Sequence, residues 1–473
     1  MAARFRNCFS EVQLYTIIRE EGQPISTSTQ KLSDLSATAA KKVIAAGEAS
    51  AEELTRACLE RINAREDVVG AWIFLDEDLA IAQARDLDAR QKAGETLGPL
   101  HGLPVGLKDI FDTADMPTEC GSALCQGRRP LEDSAVAALL RRAGAVILGK
   151  TVTTEFAISA PGKTANPHDP ERTPGGSSSG SAAAVADFMA PLAIGTQTGG
   201  SVIRPASFCG VFGFKPTFGS ISRRGMSMLA RRLDHVGVYG REAKDLALIA
   251  DVLMVHDGED WDMRGAPEQG LIEALGKAKK KAPRFAFVRT PVWDDAEPDM
   301  AAALENFARG LVDLAQEVEL EGVFDDIVQT HTTIMNANLV ANLGEALENT
   351  PDKLKDKTKQ RISRGLGVTG ADYIRALGRA EAQGQALDRL FDHYDAILAP
   401  AAPGQAPKGL ETTGRAIFNG MWTLLGVPAV SVPLLTGADG LPIGVQVIGR
   451  RGDDAKVLQA AEWLWRRHRE KNG

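Results

Sequence analysis

The sequence predicts an α/β protein with a largely parallel or mixed sheet, and three features of the 473-residue chain point to it. Short apolar runs of strand length alternate with helical runs between residues 103 and 214. Strand-like runs return near the C-terminus, at 396–398, 429–433 and 443–448. No glycine- or proline-rich linker separates the two groups. Both parts of the chain are therefore expected to complete one sheet inside one large domain.

Taken in order, residues 31–65 have helical character. Within them Ser50-Ala51-Glu52-Glu53-Leu54 reads as an N-cap followed by an acidic first turn, and the helical pattern runs on to Ile62. Residues 79–92 form a second helix, rich in alanine and charge. The apolar segment 103–110 reads as strand plus turn and carries Lys108 and Asp109. Then come a helix at 135–143, a strand at 145–148, a small-residue helix at 179–189, and strands at 192–195 and 211–214. The middle, 250–395, is mostly helical with one strand at 284–288. A helix at 455–467 follows the late strands. Residues 1–30 begin with Arg4 and Arg6, but no apolar stretch of signal-peptide type follows. They are expected to be a poorly packed extension, leaving 31–473 as the domain.

Composition removes several function classes. Hydrophobic content of 44% and charged content of 25% are those of an ordinary globular protein able to bury a core. A net charge of −8 argues against a nucleic-acid binder. The basic runs 277–281 and 353–361 read as solvated helix faces. No apolar run reaches about 18 residues, so no membrane span is expected; the best stretch, 182–194, is broken by Asp187 and Pro191. The five cysteines, Cys8, Cys58, Cys120, Cys125 and Cys209, have neither zinc-type nor Cys-x-x-Cys spacing. Free thiols in a reducing, cytoplasmic compartment are expected, with no metal and no cofactor.

Two glycine-serine clusters carry the chemistry. The first is Gly175-Gly176-Ser177-Ser178-Ser179-Gly180-Ser181. The second is Thr196-Gln197-Thr198-Gly199-Gly200-Ser201, which follows a buried strand and could open a helix at 201–208. A glycine-rich turn there would aim several N–H groups at one point, the geometry that holds an oxyanion. The plain alternative is a tight turn with an N-capping serine. The first cluster has three readings. A phosphate loop requires Lys-Ser/Thr after the last glycine, and Gly180 is followed by Ser181-Ala182. A nucleophile elbow requires a placed histidine. Of the downstream histidines, His256, His331, His393 and His468, none sits in a motif-like loop. The third reading makes the cluster a relay serine for Ser201. A serine needs a base. Lys108, at the end of an apolar strand, could serve if burial makes it neutral. Its alternative is a structural ion pair with Asp109 or Asp112.

These residues resemble the amidase signature family. The resemblance runs through His101-Gly102-Leu103-Pro104 to Lys108-Asp109, then Pro174-Gly175-Gly176-Ser177-Ser178-Ser179-Gly180 and Thr198-Gly199-Gly200-Ser201. It continues in Phe208-Cys209-Gly210-Val211-Phe212-Gly213-Phe214-Lys215-Pro216-Thr217, Leu233-Asp234-His235-Val236-Gly237 and Gly426-Val427-Pro428-Ala429-Val430-Ser431-Val432-Pro433. It covers roughly 31–465. It implies a single α/β domain, a twisted mixed sheet covered by helices on both faces. It also implies a Ser–cis-Ser–Lys triad: Ser201 as nucleophile, Ser177 as bridging serine beside a cis peptide bond, and Lys108 as terminal base. The amides of Thr198, Gly199, Gly200 and Ser201 would form the oxyanion hole. Two positions depart from the family pattern. Gln197 stands where an acid is usual. Ile203 stands where an arginine is usual, with Arg204 one place later.

The implied activity is metal-independent hydrolysis of a small-molecule carboxylic amide through an acyl-enzyme, by a chain that the resemblance allows to be a homodimer. The family also contains the amidase component of glutamyl-tRNA amidotransferases, whose glutaminase pocket has an acid before the last Pro-rich strand. Residues 414–422 contain no acid here. They look more like stand-alone amidases acting on apolar or aryl amides, with related ester, ureido or lactam substrates as alternatives. Trp422, with Phe418, Met226 and Met228, is expected either to line the acyl pocket or to be core.

Overall fold

The computed structural model describes residues 31–263, 270–277 and 282–472. The expected extension at 1–30 and most of the basic run 277–281 lie outside the described residues.

The described strands are β1 (Trp72–Leu75), β2 (Pro104–Lys108), β3 (Val146–Thr151), β4 (Leu192–Gln197), β5 (Phe212–Lys215), β6 (His235–Gly240), β7 (Phe285–Val288), β8 (Ala315–Val318), β9 (Ala396–Pro400), β10 (Ala429–Thr436) and β11 (Pro442–Ile448). They form one mixed sheet in the order β1-β3-β2-β4-β6-β5-β10-β11-β9-β7-β8, flanked by helices. The late strands do not close an edge. They sit in the centre and join the first half of the chain to the β7–β8 edge. β2 runs parallel to both β3 and β4, while β4 pairs antiparallel with β6.

Three strands lie outside the sequence expectation: β1, β6 and β8. β6 reads His-Val-Gly-Val-Tyr-Gly, whose apolar character is interrupted at every second place. β8 is a half-exposed edge with Gln316 and Glu317 in its centre. The expected N-cap is present and closes a capping box: Ser50 Oγ accepts from Glu53 N, and Glu53 accepts from Ser50 N. Among the described residues, no helix is long and apolar enough to cross a membrane.

Alternation along β4 and β6 divides the core. Leu192, Ile194, Val236 and Val238 point into the main hydrophobic cluster. Ala193 and Tyr239, paired across the two strands, point to the other face. There they meet Ala182, Val185, Val202 and Ala206 from the helices Ser179–Ala186 and Ile203–Cys209. These two helices follow the two glycine-serine clusters directly, so the face they cover fixes where the clusters lie.

The helix Ser179–Ala186 can sit this close to the sheet because its residues are small. A Cβ on Gly180 would lie 2.2 Å from Ala71 O and 2.4 Å from Val152 N, both backbone atoms that cannot step aside. Gly180→Ala is therefore expected to lower the unfolding free energy by about 1–3 kcal/mol or more. Gly378→Ala is the control, on the exposed face of the helix Gly370–Leu390, where an added methyl meets nothing. It should be neutral or stabilising by up to about 1 kcal/mol. Denaturant titration of both variants checks the contrast.

Candidate active site

Lys108 is the last residue of β2, held on both sides by parallel neighbours. Its side chain is 0% exposed. Lys108 Nζ lies 2.7 Å from Ser177 Oγ and 2.7 Å from Thr196 Oγ1. Burial pushes its pKa down to about 7, with Asp234 and Cys120 pulling weakly the other way. The alternative of an ion pair with a neighbouring aspartate is not what the structure contains. Asp109 faces Lys150, 3.9 Å away, and Asp112 binds Arg128 at 2.6 Å. A buried amine without a carboxylate is most comfortable neutral. In that form it can donate to one hydroxyl and accept from the other.

The first cluster brings Ser177 to this amine. The Gly176–Ser177 peptide bond is cis. Gly175 has φ +84°, and a Cβ there would press to 2.8 Å from Pro205 Cα. The other serines of the cluster are engaged with backbone. Ser178 Oγ donates to Thr196 O and accepts from Thr196 N; Ser179 Oγ donates to Val152 O; Ser181 Oγ donates to Ile194 O. The hydroxyl of Ser177, 1% exposed, instead faces Lys108.

The second cluster is a turn between β4 and the helix Ile203–Cys209. The Gln197 side chain reaches the start of that helix, whose N-cap position is Val202. Its Oε1 accepts from Val202 N at 2.8 Å and Ile203 N at 3.0 Å, and its Nε2 donates to Thr423 Oγ1 at 3.0 Å. An amide oxygen thus satisfies the helix N-terminus where the family usually places an acid. Ile203 packs in an apolar cluster with Leu425 and Trp422. Arg204, the displaced arginine, is buried and donates from Nη2 to the carbonyl of Gly176 and to Thr413 Oγ1. Burial lowers its pKa to about 10. It therefore ties the second cluster to the first at the residue preceding Ser177.

Ser201 is 8% exposed, and its carbonyl accepts from Tyr239 Oη at 3.0 Å. Among the described residues, its hydroxyl and the amides of Gly199, Gly200 and Ser201 make no hydrogen bond to protein. Thr198 Oγ1 donates to Asp234 Oδ1 at 2.5 Å, and Asp234 Oδ2 accepts from Leu229 N and Ala230 N. Burial raises the Asp234 pKa against these hydrogen bonds.

The pocket expectation for Trp422 needs correction. Its side chain is 0% exposed and packs among Ile203, Leu233 and Leu425, so it is core. Phe418 is equally buried, and Met226 and Met228 pack on the main core. Asn419 and Ala416 stand against the turn: a Cβ on Gly200 would lie 2.3 Å from Asn419 Oδ1 and 3.0 Å from the Ala416 methyl. Sequence reasoning also passed over His331 and Thr423, which contact the turn. Neither sits in a local motif; each is brought in by a helix more than a hundred residues downstream.

The Amidase family model matches residues 53–458. The chain belongs to the amidase family. As a member of it, the chain is a hydrolase of carbon–nitrogen amide bonds. Among curated relatives, this amidase is 36% identical to a glutamyl-tRNA(Gln) amidotransferase subunit of Symbiobacterium thermophilum, covering 92% of this chain and 96% of that one. It is 35% identical to the protein of the same name from Acidothermus cellulolyticus, covering 91% and 94%. Among solved structures, the amidase superposes with a TM-score of 0.86 at 29% identity on a component of a vestigial protein complex that bears on the origins of an s-triazine catabolic enzyme; the match covers 92% and 98%. The peptide amidase from Stenotrophomonas maltophilia matches with a TM-score of 0.81 at 27% identity, covering 92% and 97%.

Gln197→Leu would strand the Val202 and Ile203 amides at the start of a buried helix. It is expected to cost about 1–3 kcal/mol of stability. Gln197→Glu keeps the acceptor and should lose less. Urea unfolding of the two variants side by side is the measurement.

Proposed function

We propose that this amidase cleaves a carboxylic amide through an acyl-enzyme on Ser201, with Ser177 as proton relay and Lys108 as terminal base. Ser201 Oγ attacks the carbonyl carbon and passes its proton to Ser177, whose own proton moves to neutral Lys108. The oxyanion is held by the amides of Gly199 and Gly200, with Thr198 and Ser201 amides beside them. The proton then returns along the same path to the leaving nitrogen, the C–N bond breaks, and ammonia or an amine departs. Water attacks the resulting ester and frees the acid and Ser201. The observation that carries this reading is a buried lysine with no ion-pair partner among the described residues, 2.7 Å from the one serine of its cluster whose hydroxyl is not engaged with backbone there.

An uncharged acyl group is supported by the residues around the turn. The uncharged Asn419 and Ala416 stand nearest Gly200, and Arg415, the one charge in 414–422, faces outward to Asp295 at 2.6 Å. A second reading, glutaminase activity within a transamidating assembly, is favoured by the 36% identity to part of a glutamyl-tRNA amidotransferase. Full activity of the isolated chain on non-glutamine amides excludes it. Strong glutaminase activity with a co-purifying partner enzyme supports it.

Ser201→Ala is expected to abolish both turnover of an amide panel and labelling by a fluorophosphonate; unchanged turnover would sink the assignment. The pH dependence follows from the lowered Lys108 pKa. The base form predominates above about 7, so kcat/KM should rise tenfold per pH unit below that value and level off above it. A profile flat from pH 6 to 9 contradicts the role given to Lys108.

A further inference from the structure

The oxyanion amides belong to peptide units whose other ends are not idle. The N–H of Gly199 shares a peptide with the carbonyl of Thr198, and that carbonyl lies 2.9 Å from His331 Nε2. A carbonyl only accepts, so Nε2 carries the hydrogen. Burial lowers the His331 pKa, so the ring is neutral and its tautomer is fixed by this contact. The N–H of Gly200 shares a peptide with the carbonyl of Gly199, which accepts from Thr423 Oγ1 at 2.7 Å. The Gly199 and Gly200 amides are therefore each backed by a side-chain hydrogen bond on the far side of their own peptide.

The direction of the Thr423 hydroxyl is set by Gln197. Because Gln197 Oε1 is occupied by two backbone donors, its Nε2 must face Thr423 and donate to it. Thr423 then has its single proton for a backbone acceptor, and Gly199 O is nearer than Asn419 O, 2.7 Å against 3.1 Å. An acid at position 197 offers only lone pairs. It would draw the Thr423 proton to itself and leave the Gly199 carbonyl bare. The departure from the family residue at 197 thus has a consequence at the oxyanion turn.

We propose that His331 and the Gln197–Thr423 pair are positioning residues that orient and polarise the Gly199 and Gly200 amides for the oxyanion. Hydrogen bonding to the carbonyl of a peptide strengthens its N–H as a donor by about 10–30%. Since a whole oxyanion donor contributes about 100- to 1000-fold, removing the backing of one amide should cost about 1.6- to eightfold. The inference rests on the reading of Ser201 as the nucleophile, and its test separates the two.

The test is the kinetics of Ser201 phosphonylation by an alkyl fluorophosphonate, whose transition state also places a negative oxygen at the turn. Thr423→Val and His331→Phe should each lower the maximal labelling rate about 1.6- to eightfold. The half-saturating probe concentration should stay within twofold, and so should the pH midpoint set by Lys108. Thr423→Ser keeps the hydroxyl and should restore the rate; His331→Gln, with an N–H at similar reach, should recover part of it. Where His331→Phe does not fold, the Thr423 pair carries the comparison alone. Wild-type labelling rates in Thr423→Val overturn the proposal, as does a loss seen equally in Thr423→Ser or a shifted pH midpoint, which marks a merely structural effect. Failure of wild-type protein to label at Ser201 brings down the underlying reading instead.

Discussion

The burial of Lys108 without a carboxylate is the constraint on which the rest of the site depends. A lysine enclosed at the end of β2 can keep its charge only with an ionic partner, and Asp109 and Asp112 are engaged elsewhere. What surrounds Nζ are two hydroxyls, Ser177 and Thr196, each at 2.7 Å. Hydroxyls satisfy a neutral amine in both directions but compensate an ammonium poorly. Desolvation therefore moves the proton equilibrium into the neutral range, which is what a base for serine chemistry requires.

That arrangement holds only if two loops are placed against one strand end. β2 and β4 are parallel neighbours, so their carboxyl ends open on the same side of the sheet, where ligands of α/β proteins collect. β4 feeds the second cluster directly. The first is brought in by the small-residue helix Ser179–Ala186, which Gly180 lets approach the backbone of the sheet closely. Arg204 then joins the clusters through the Gly176 carbonyl. Its place one residue beyond the usual family position fits this bond, while Ile203 fills the apolar site beside it.

Legibility differed by kind of residue. The residues at the centre of the site, Lys108, Ser177 and Ser201, stand in dense local motifs. Glycine, serine and strand-end signals coincide there, and the α/β alternation around them was readable for the same reason. β6 was not, because its apolar residues are spaced by His235, Gly237 and Tyr239. Its identity as a strand comes from pairing between β4 and β5. Trp422 illustrates the opposite error: an aromatic near a motif suggests a pocket, yet a residue of that size is more often consumed by the core, as here.

The sequence by itself determined the family, the alternating architecture and the make-up of the two glycine-serine clusters, because these depend on local composition and order. It could not decide what Gln197 and Arg204 do, or that His331 and Thr423 reach the turn. Those contacts join positions between about 28 and 226 residues apart, and hydrogen-bond direction exists only once the partners are in place. Nor could it decide between an ion pair and a buried amine facing hydroxyls at Lys108. That depends on burial and on which aspartates are already taken, quantities that only the packed tertiary structure sets.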